Sequence, residues 1–499
     1  MALEIELKLR IASGHMNQLK RHPLLKTLAS GNAATRKLHN VYYDTPKLEL
    51  HRQEMALRLR RAGKQWLQTL KGGGGVEAGL HSRNEWESPV AGEALDFAAL
   101  KACGAPLPKG VRKKLQPIFA TDFSRNIRLL TFEGAQIELC MDSGEIRAGK
   151  KFRAISELEL ELKSGEPQQL FKLALALLDI VPLEVEHASK AEYGYRLHGG
   201  DKPAVSKAKF PRLEPSQSIA AALRNMVAAC LLHVQANIPG ALQKLDEEYL
   251  HQVRVGLRRL RVVLSMAEAY RHDDELQALH EDVAKLCVQL GRSREWDVFV
   301  TQTLSPISKR LPRHAGMREL LRASGKIRKQ HHAGLDGSLA SPDLQRLLLR
   351  LGHWMQGGYW QENIIENGAD LTIFAAQVLG KRSMKVSQRA GSLAEADTAQ
   401  LHALRIACKK LRYSAEIFGA LFPAAQTKRY VAALSALQDT MGMLNDITVA
   451  RRLLAEMENE KRRETLALIR GWMEHDYAAH LAALRRAWKK FAGREAFWV

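Results

Sequence analysis

The chain has 499 residues, 46% of them hydrophobic and 26% charged, with 35 Gly and 16 Pro. That is ordinary globular usage over a length that suits roughly two to four domains, and it excludes disorder, fibrous repeats and stapled mini-proteins. Lysine and arginine outnumber aspartate and glutamate by 75 to 54, a formal net charge of +21 carried by both halves and more strongly by the second, so an anionic partner is expected.

The opening MALEIELKLR alternates charged and apolar residues and lacks the basic and apolar regions of an export signal. No later apolar run reaches the length of a membrane span, so neither export nor membrane insertion is expected. The five cysteines, Cys103, Cys140, Cys230, Cys287 and Cys408, are scattered and never form a Cys-x-x-Cys pair, which points to a reducing cytoplasm and away from zinc.

Residues 1–198 read mainly as strands of period two, with turns expected at Gly72–Gly75 and Asp142–Gly144 and one helix from Glu166 to Leu178. Side chains at i, i+2 and i+4 share one face of a strand. Glu4, Glu6 and Lys8 therefore lie opposite Ile5, Leu7 and Leu9 in the first strand. Arg58 and Arg60 share a face of ALRLRR, Lys71 ends WLQTLK, and Arg83, Glu85 and Glu87 share a face of HSRNEWES. Arg125 in TDFSRN and Lys190 in HASKAEYGY occupy comparable places, and Glu157, Glu159, Glu161 and Lys163 line one face opposite Leu158, Leu160 and Leu162. A solvated strand face is the commonest source of such alternation. Adjacent glutamates on one face repel, however, and a bound cation removes the repulsion. Hard divalent ions take carboxylate oxygens, and arginine and lysine match phosphate oxygens. Acidic strands facing basic strands across a closed barrel of about eight strands would hold one small metal–polyphosphate complex.

Residues 199–217, GGDKPAVSKAKFPRLEPSQ, have linker composition, and from 218 to 499 the pattern is helical. That half repeats itself at an offset of 151 residues: His251, Arg254, Arg258 and Arg261 recur as His402, Arg405, Lys409 and Arg412, and Leu286, Gly291 and Glu295 fall on Leu437, Gly442 and Asp446. At 3.6 residues per turn each quartet spans an arc of roughly 80°. Each is read as a basic stripe without intervening acids, on two related helical bundles about a pseudo-two-fold axis. A metal role for His251 or His402 is disfavoured in favour of phosphate binding on the basic stripes. Nucleic acid is disfavoured too, because Tyr413 is the sole aromatic in the stripes.

Glu4-x-Glu6-x-Lys8, YYDTP at 42–46, LRLR at 57–60, Arg83-x-Glu85-x-Glu87, SELELELKSG at 156–165 and SKAEYGY at 189–195 resemble, in order, the CYTH family of triphosphate tunnel metalloenzymes. The resemblance implies an eight-stranded antiparallel β tunnel over residues 1–198. In it Glu4, Glu6, Glu157, Glu159 and Glu161 would hold Mg²⁺ or Mn²⁺. Lys8, Arg58, Arg60, Lys71, Arg83, Arg125 and Lys190 would hold phosphates. Glu85, Glu87, Glu138 and Asp142 would line the tunnel. Glu4, Glu6, Lys8, Glu159 and Glu161 carry the expected chemistry, attack of water on a terminal phosphorus of inorganic triphosphate, and Glu6→Ala or Glu159→Ala is expected to abolish turnover and spare the fold. Thiamine or nucleoside triphosphatase, adenylate cyclase, and a non-catalytic polyphosphate-binding protein are the alternatives. The repeat resembles the CHAD family, which implies two pseudo-symmetric four-helix bundles whose basic faces bind polyphosphate, here through His251, Arg254, Arg258, Arg261, His402, Arg405, Lys409 and Arg412. The fold class is thus multidomain: a β tunnel followed by an all-α domain.

Overall fold

The computed structural model describes residues 2–200, 204–207, 209–360, 370–391 and 397–499. Residues 201–203 and 208 of the expected linker lie outside them. Two units are distinguished, Met1–Lys207 with Leu231–Val253 and Ala340–Tyr359, and Ala208–Cys230 with Arg254–Leu339 and Trp360–Val499.

The first unit is built on strands β1 (Ala2–Ile11), β2 (Ala34–Asp44), β3 (Ala56–Ala62), β4 (Gln65–Glu77), β5 (Leu80–Val90), β6 (Gln116–Phe132), β7 (Ala135–Ala148), β8 (Lys151–Ser164) and β9 (Leu183–Val185). They run in the order β5-β4-β3-β2-β6-β7-β8-β1-β9, and β5 also pairs with β1, which closes eight antiparallel strands into a barrel with β9 added at β1. Closure removes both sheet edges and turns one side chain in two inward. Leu7 and Leu9 of β1 and Leu158 and Leu160 of β8 are fully buried on the outer face. Against this side of the molecule lies the helix Gln168–Leu178, which the helix Pro342–Gln356 covers in turn. Gly352 makes that contact possible, because a Cβ there would stand 2.2 Å from the Phe171 ring.

Two expected turns are strand instead. Gly72–Gly75 lies inside β4, where the register against β5 shifts, and Gly73 and Gly74 take the positive φ that such a bulge needs. Asp142–Gly144 lies inside β7. There glycine serves close approach, since a Cβ on Gly144 would meet the Asp122 carbonyl oxygen at 2.1 Å. Lys190, read from sequence beside the strand residues, starts a helix, Lys190–Gly199, whose Ser189 cap accepts from the Glu192 amide.

The second unit is all helix among the described residues. Its helices Asp274–Val298 and Ala315–Leu339 from the first repeat copy share one core with Ala424–Glu456 and Arg463–Ala492 from the second, through Trp296, Leu320, Leu453 and Ile469. The helix Glu247–Tyr270 likewise meets the second copy's helices Leu371–Ala390 and Thr398–Phe418: Arg259 pairs with Glu416, and the Tyr270 ring packs edge-on to Phe374. The repeat copies are therefore interleaved, each core drawing helices from both. One helix, Ile219–Leu242, has the length and composition to cross a membrane, and most of its apolar window is buried inside the protein.

Candidate functional site

Inside the barrel lies a cavity of about 420 Å³. In the closed strand order β3 stands four strands from β8, so the lumen faces of these two strands look at each other. The alternation of β8 sends Glu159 and Glu161 inward, β1 adds Glu4, Glu6 and Lys8, and β7 adds Glu138. Opposite, β3 presents Arg58 and Arg60, and the strands between complete the ring with Lys71 of β4, Arg83, Glu85 and Glu87 of β5, which pairs with β1, and Arg125 of β6. Lys190 reaches in from its helix. That helix sits close because Gly194 presses on Phe119, where a Cβ would meet the ring at 2.1 Å.

The carboxylates are held in a relay of ion pairs. Lys8 Nζ lies 2.8 Å from Glu6 and also pairs with Glu159. Lys190 Nζ lies 2.7 Å from Asp142 and 3.0 Å from Glu159, and it pairs with Glu157. Arg125 grips Asp142 through Nε and Nη2 at 2.8 and 2.6 Å and reaches Glu159 as well. Burial pushes the Glu159 carboxyl up, but Lys190, Lys8 and Arg125 together hold it well below the usual range. Burial likewise works against the charge of Glu6, which Lys8 brings down to about 2. Glu157 goes the other way: burial outweighs Lys190 and, with Glu159 adding repulsion, moves it up to about 7. Lys8 and Lys190 are held above the ordinary lysine range against their own burial, Lys8 chiefly by Glu159 and Glu6, Lys190 chiefly by Asp142 and Glu157.

Around the rest of the lumen compensation is uneven. Tyr42, which shares a hydrogen bond with Arg58, together with Glu85 at 3.5 Å and Glu4 hold the Arg58 charge against burial, although its buried Nε has no hydrogen-bond partner among the described residues. Arg60 donates to Asn40 Oδ1 at 2.8 Å, and burial beside Arg58 and Arg125 brings its guanidinium down to about 10. Among the described residues Arg83 makes no hydrogen bond or ion pair. Lys71 pairs with Glu4 and stands 3.5 Å from Glu85, while Glu87 accepts from Thr69.

The donor set suits a hard divalent ion. Asp142, Glu157 and Glu159 each offer an oxygen, all within 4.8 Å of one another, and Glu4, Glu6 and Glu161 present carboxylates to the lumen. Of the expected metal residues Glu157 alone does not line the cavity; it sits behind Glu159 with its carboxylate on Lys190. Sequence reasoning missed Arg36, Asn40 and Tyr42 as lining residues. All three follow the same alternation along β2, in a strand lacking the paired charges that drew attention elsewhere.

In the second unit the two stripes converge. Arg258 is close enough to Arg405 and Lys409 to disfavour the charge on each. Burial, then Arg405, Arg258 and Arg412, bring Lys409 down to about 7. Burial, then Arg258 and Arg294, bring Arg254 down to about 10. Arg294 was not among the residues expected there. No acid intervenes within either stripe, but acids from outside reach them: Glu416 lies 3.5 Å from Arg412 one turn on and 3.2 Å from Arg259, and Asp446 offsets part of the charge around Lys409. Arg261 and His402 are exposed, the latter 3.3 Å from Asn445. His251 is half-buried in the segment that belongs to the first unit.

Comparison with known proteins matches residues 2–195 to the CYTH domain and residues 225–455 to the CHAD domain. An inorganic triphosphatase of Haemophilus influenzae is 38% identical over 197 residues, 40% of this chain and 55% of that protein, so the chain spans about half the length of this relative. An uncharacterized protein of Mycobacterium tuberculosis is 26% identical over 442 residues, 82% of this chain and 81% of its own. The crystal structure of the CHAD domain from the plant Ricinus communis is similar at 31% identity and a TM-score of 0.50, covering 57% of this chain and 96% of that one.

Proposed function

We propose that this chain, a CYTH domain joined to a CHAD domain, hydrolyses inorganic triphosphate to diphosphate and phosphate in the barrel and binds inorganic polyphosphate on the basic faces of its helical half. One observation carries the first part: Arg58 and Arg60 look across a 420 Å³ lumen at the buried Glu159, and Arg83, with no ion pair or hydrogen bond among the described residues, lines the same lumen beside Glu4. A wall of arginine forks takes phosphate oxygens, and an oxygen-only acidic wall takes a hard cation.

Glu4, Glu6, Glu159 and Glu161, with Glu157 behind them, would hold Mg²⁺ or Mn²⁺, which when bound neutralises phosphate charge and makes water a better nucleophile at neutral pH. The chain's own residues do the rest. Arg58, Arg60, Arg83 and Lys71 orient the triphosphate and stabilise the charge that develops on its oxygens. Water attacks the terminal phosphorus in line, and the bridging P–O bond breaks with its electron pair leaving on diphosphate. Lys8, Lys190 and Arg125, now spent on carboxylates, are within reach of the same lumen and become phosphate ligands once those carboxylates are otherwise neutralised.

The polyphosphate part rests on Arg254, Arg258, Arg405, Lys409 and Arg412 gathering with few acids against them, Glu295, Asp446 and Glu416 among the described residues. Phosphate release from inorganic triphosphate, ATP, thiamine triphosphate and long-chain polyphosphate, with Mg²⁺, Mn²⁺ or EDTA, tests the reading. Metal-dependent release confined to inorganic triphosphate supports it; preference for an organic triphosphate, or no turnover at all, rejects it.

A further inference from the structure

The two ends of the barrel differ. At one end the inward-facing Tyr42, Leu38 and Phe123 pack into a buried cluster with Phe119 and with Ala191 and Tyr195 of the helix Lys190–Gly199. That end is plugged with apolar side chains. Two residues beyond Leu38 on the same face of β2 comes Arg36, in a stretch, 31–37, that is exposed throughout. The open end is therefore the Arg36 end.

Arg36 is directly cross-strand from Arg125 of β6, and both line the lumen. Like charges opposed in this way repel unless something anionic lies between them. Arg125 is satisfied by Asp142 and Glu159, but among the described residues Arg36 makes no ion pair or hydrogen bond. Arg36 also lines a second pocket of about 390 Å³, whose other walls are Thr35, Lys37, Ala62, Gly63 and Gln65. This pocket carries no carboxylate to hold a metal and no aromatic or large apolar wall to stack a base. Its chemistry is that of a polar, cationic shelf continuing outward from the lumen.

We propose that Arg36 and the pocket it shares form an additional phosphate subsite at the open end of the barrel, so that linear inorganic chains of four or more phosphates bind with their surplus units outside the lumen. The subsite deepens the triphosphatase reading and rests on it. It selects inorganic chains over nucleoside triphosphates, because the shelf offers charge and hydrogen bonds where a nucleoside would need stacking.

The test is calorimetric titration of the full-length protein, held in EDTA so that metal-dependent turnover does not consume the ligand, with inorganic triphosphate and inorganic tetraphosphate, for the wild type, R36Q and R36K. The wild type binds tetraphosphate at least as tightly as triphosphate. R36Q loses about tenfold or more in affinity for tetraphosphate and several-fold less for triphosphate, and R36K, which keeps charge without the fork, falls between. Equal losses on both chains, or wild-type binding of tetraphosphate tenfold weaker than triphosphate, overturn the subsite. Because the readout is binding, a protein that turns over nothing yet shows the differential loss keeps the subsite and loses only the enzymatic reading. A protein that hydrolyses triphosphate but shows no differential loses only the subsite.

Discussion

Two basic clusters in this molecule handle their charge in opposite ways. In the barrel Lys8, Lys190 and Arg125 are buried against carboxylates, and the charged form of each is strengthened. On the helical face Arg254, Arg405 and Lys409 are half-buried among other cations, Arg258 next to each, and the charged form of each is weakened. A cation paired with a carboxylate is locked until something replaces its partner. A cation crowded by cations is waiting for an anion, and any polyanion that arrives relieves the crowding. The barrel is thus arranged to exchange partners, and the helical face to acquire one.

The largest effect expected is at Glu159. Replacing it with Ala leaves Lys8, Lys190 and Arg125 without a shared buried partner, a loss on the order of 3–5 kcal/mol, so chemical denaturation will show a destabilised protein as well as an inactive one. This revises the expectation from sequence that the substitution spares the fold. Glu161→Gln is the cleaner probe, since among the described residues Glu161 pairs with Lys163 alone; it is expected to retain the wild-type melting temperature and to lower kcat by about 100-fold or more. Unchanged kcat in a folded Glu161→Gln protein removes Glu161 from the metal set.

Next in size, Arg258→Ala combined with Lys409→Ala is expected to weaken long-chain polyphosphate binding by about 100-fold and to flatten its salt dependence, read by titration at several ionic strengths. Triphosphate hydrolysis that falls in parallel would blur the distinction between the two clusters. Gly194→Ala should then destabilise by about 1–3 kcal/mol, because the added methyl meets the Phe119 ring; it should also raise KM for triphosphate by moving Lys190.

The last effect is the most specific to the two clusters. Lys409 in the folded chain sits near 7, against 10.5 for an ordinary lysine. The folded state therefore binds fewer protons than the unfolded state between these values. The resulting cost to stability is full below pH 7 and fades as the pH rises towards 10.5. Lys409→Met should accordingly raise the melting temperature at pH 6.5 and leave it nearly unchanged at pH 10. Polyphosphate binding at pH 8 should also take up protons, measurable by calorimetry in buffers of different ionisation enthalpy. An equal rise in melting temperature at both pH values would show that Lys409 keeps its proton despite its neighbours.

Much of the barrel was legible because a strand has a period of two. Glu4-x-Glu6-x-Lys8 and Glu157-x-Glu159-x-Glu161 place their charges on one face whatever the strand pairs with, and the outward leucines name the buried side. The 151-residue repeat in the helical half was legible in the same way, from spacing alone. What spacing could not convey was partnership. Gly72–Gly75 and Asp142–Gly144 look like turns because glycine breaks strands in isolation, but the neighbouring strand uses them for a bulge and a close approach. The repeat says that two copies exist, and only packing decides that Trp296 and Leu320 of one share a core with Leu453 and Ile469 of the other. Local sequence thus determined which side chains could act together on one element. Tertiary structure decided which elements met, that Lys190 stands among Asp142, Glu157 and Glu159, and that Lys409 faces Arg258, because contacts between residues distant in sequence depend on closure and burial, which no local pattern encodes.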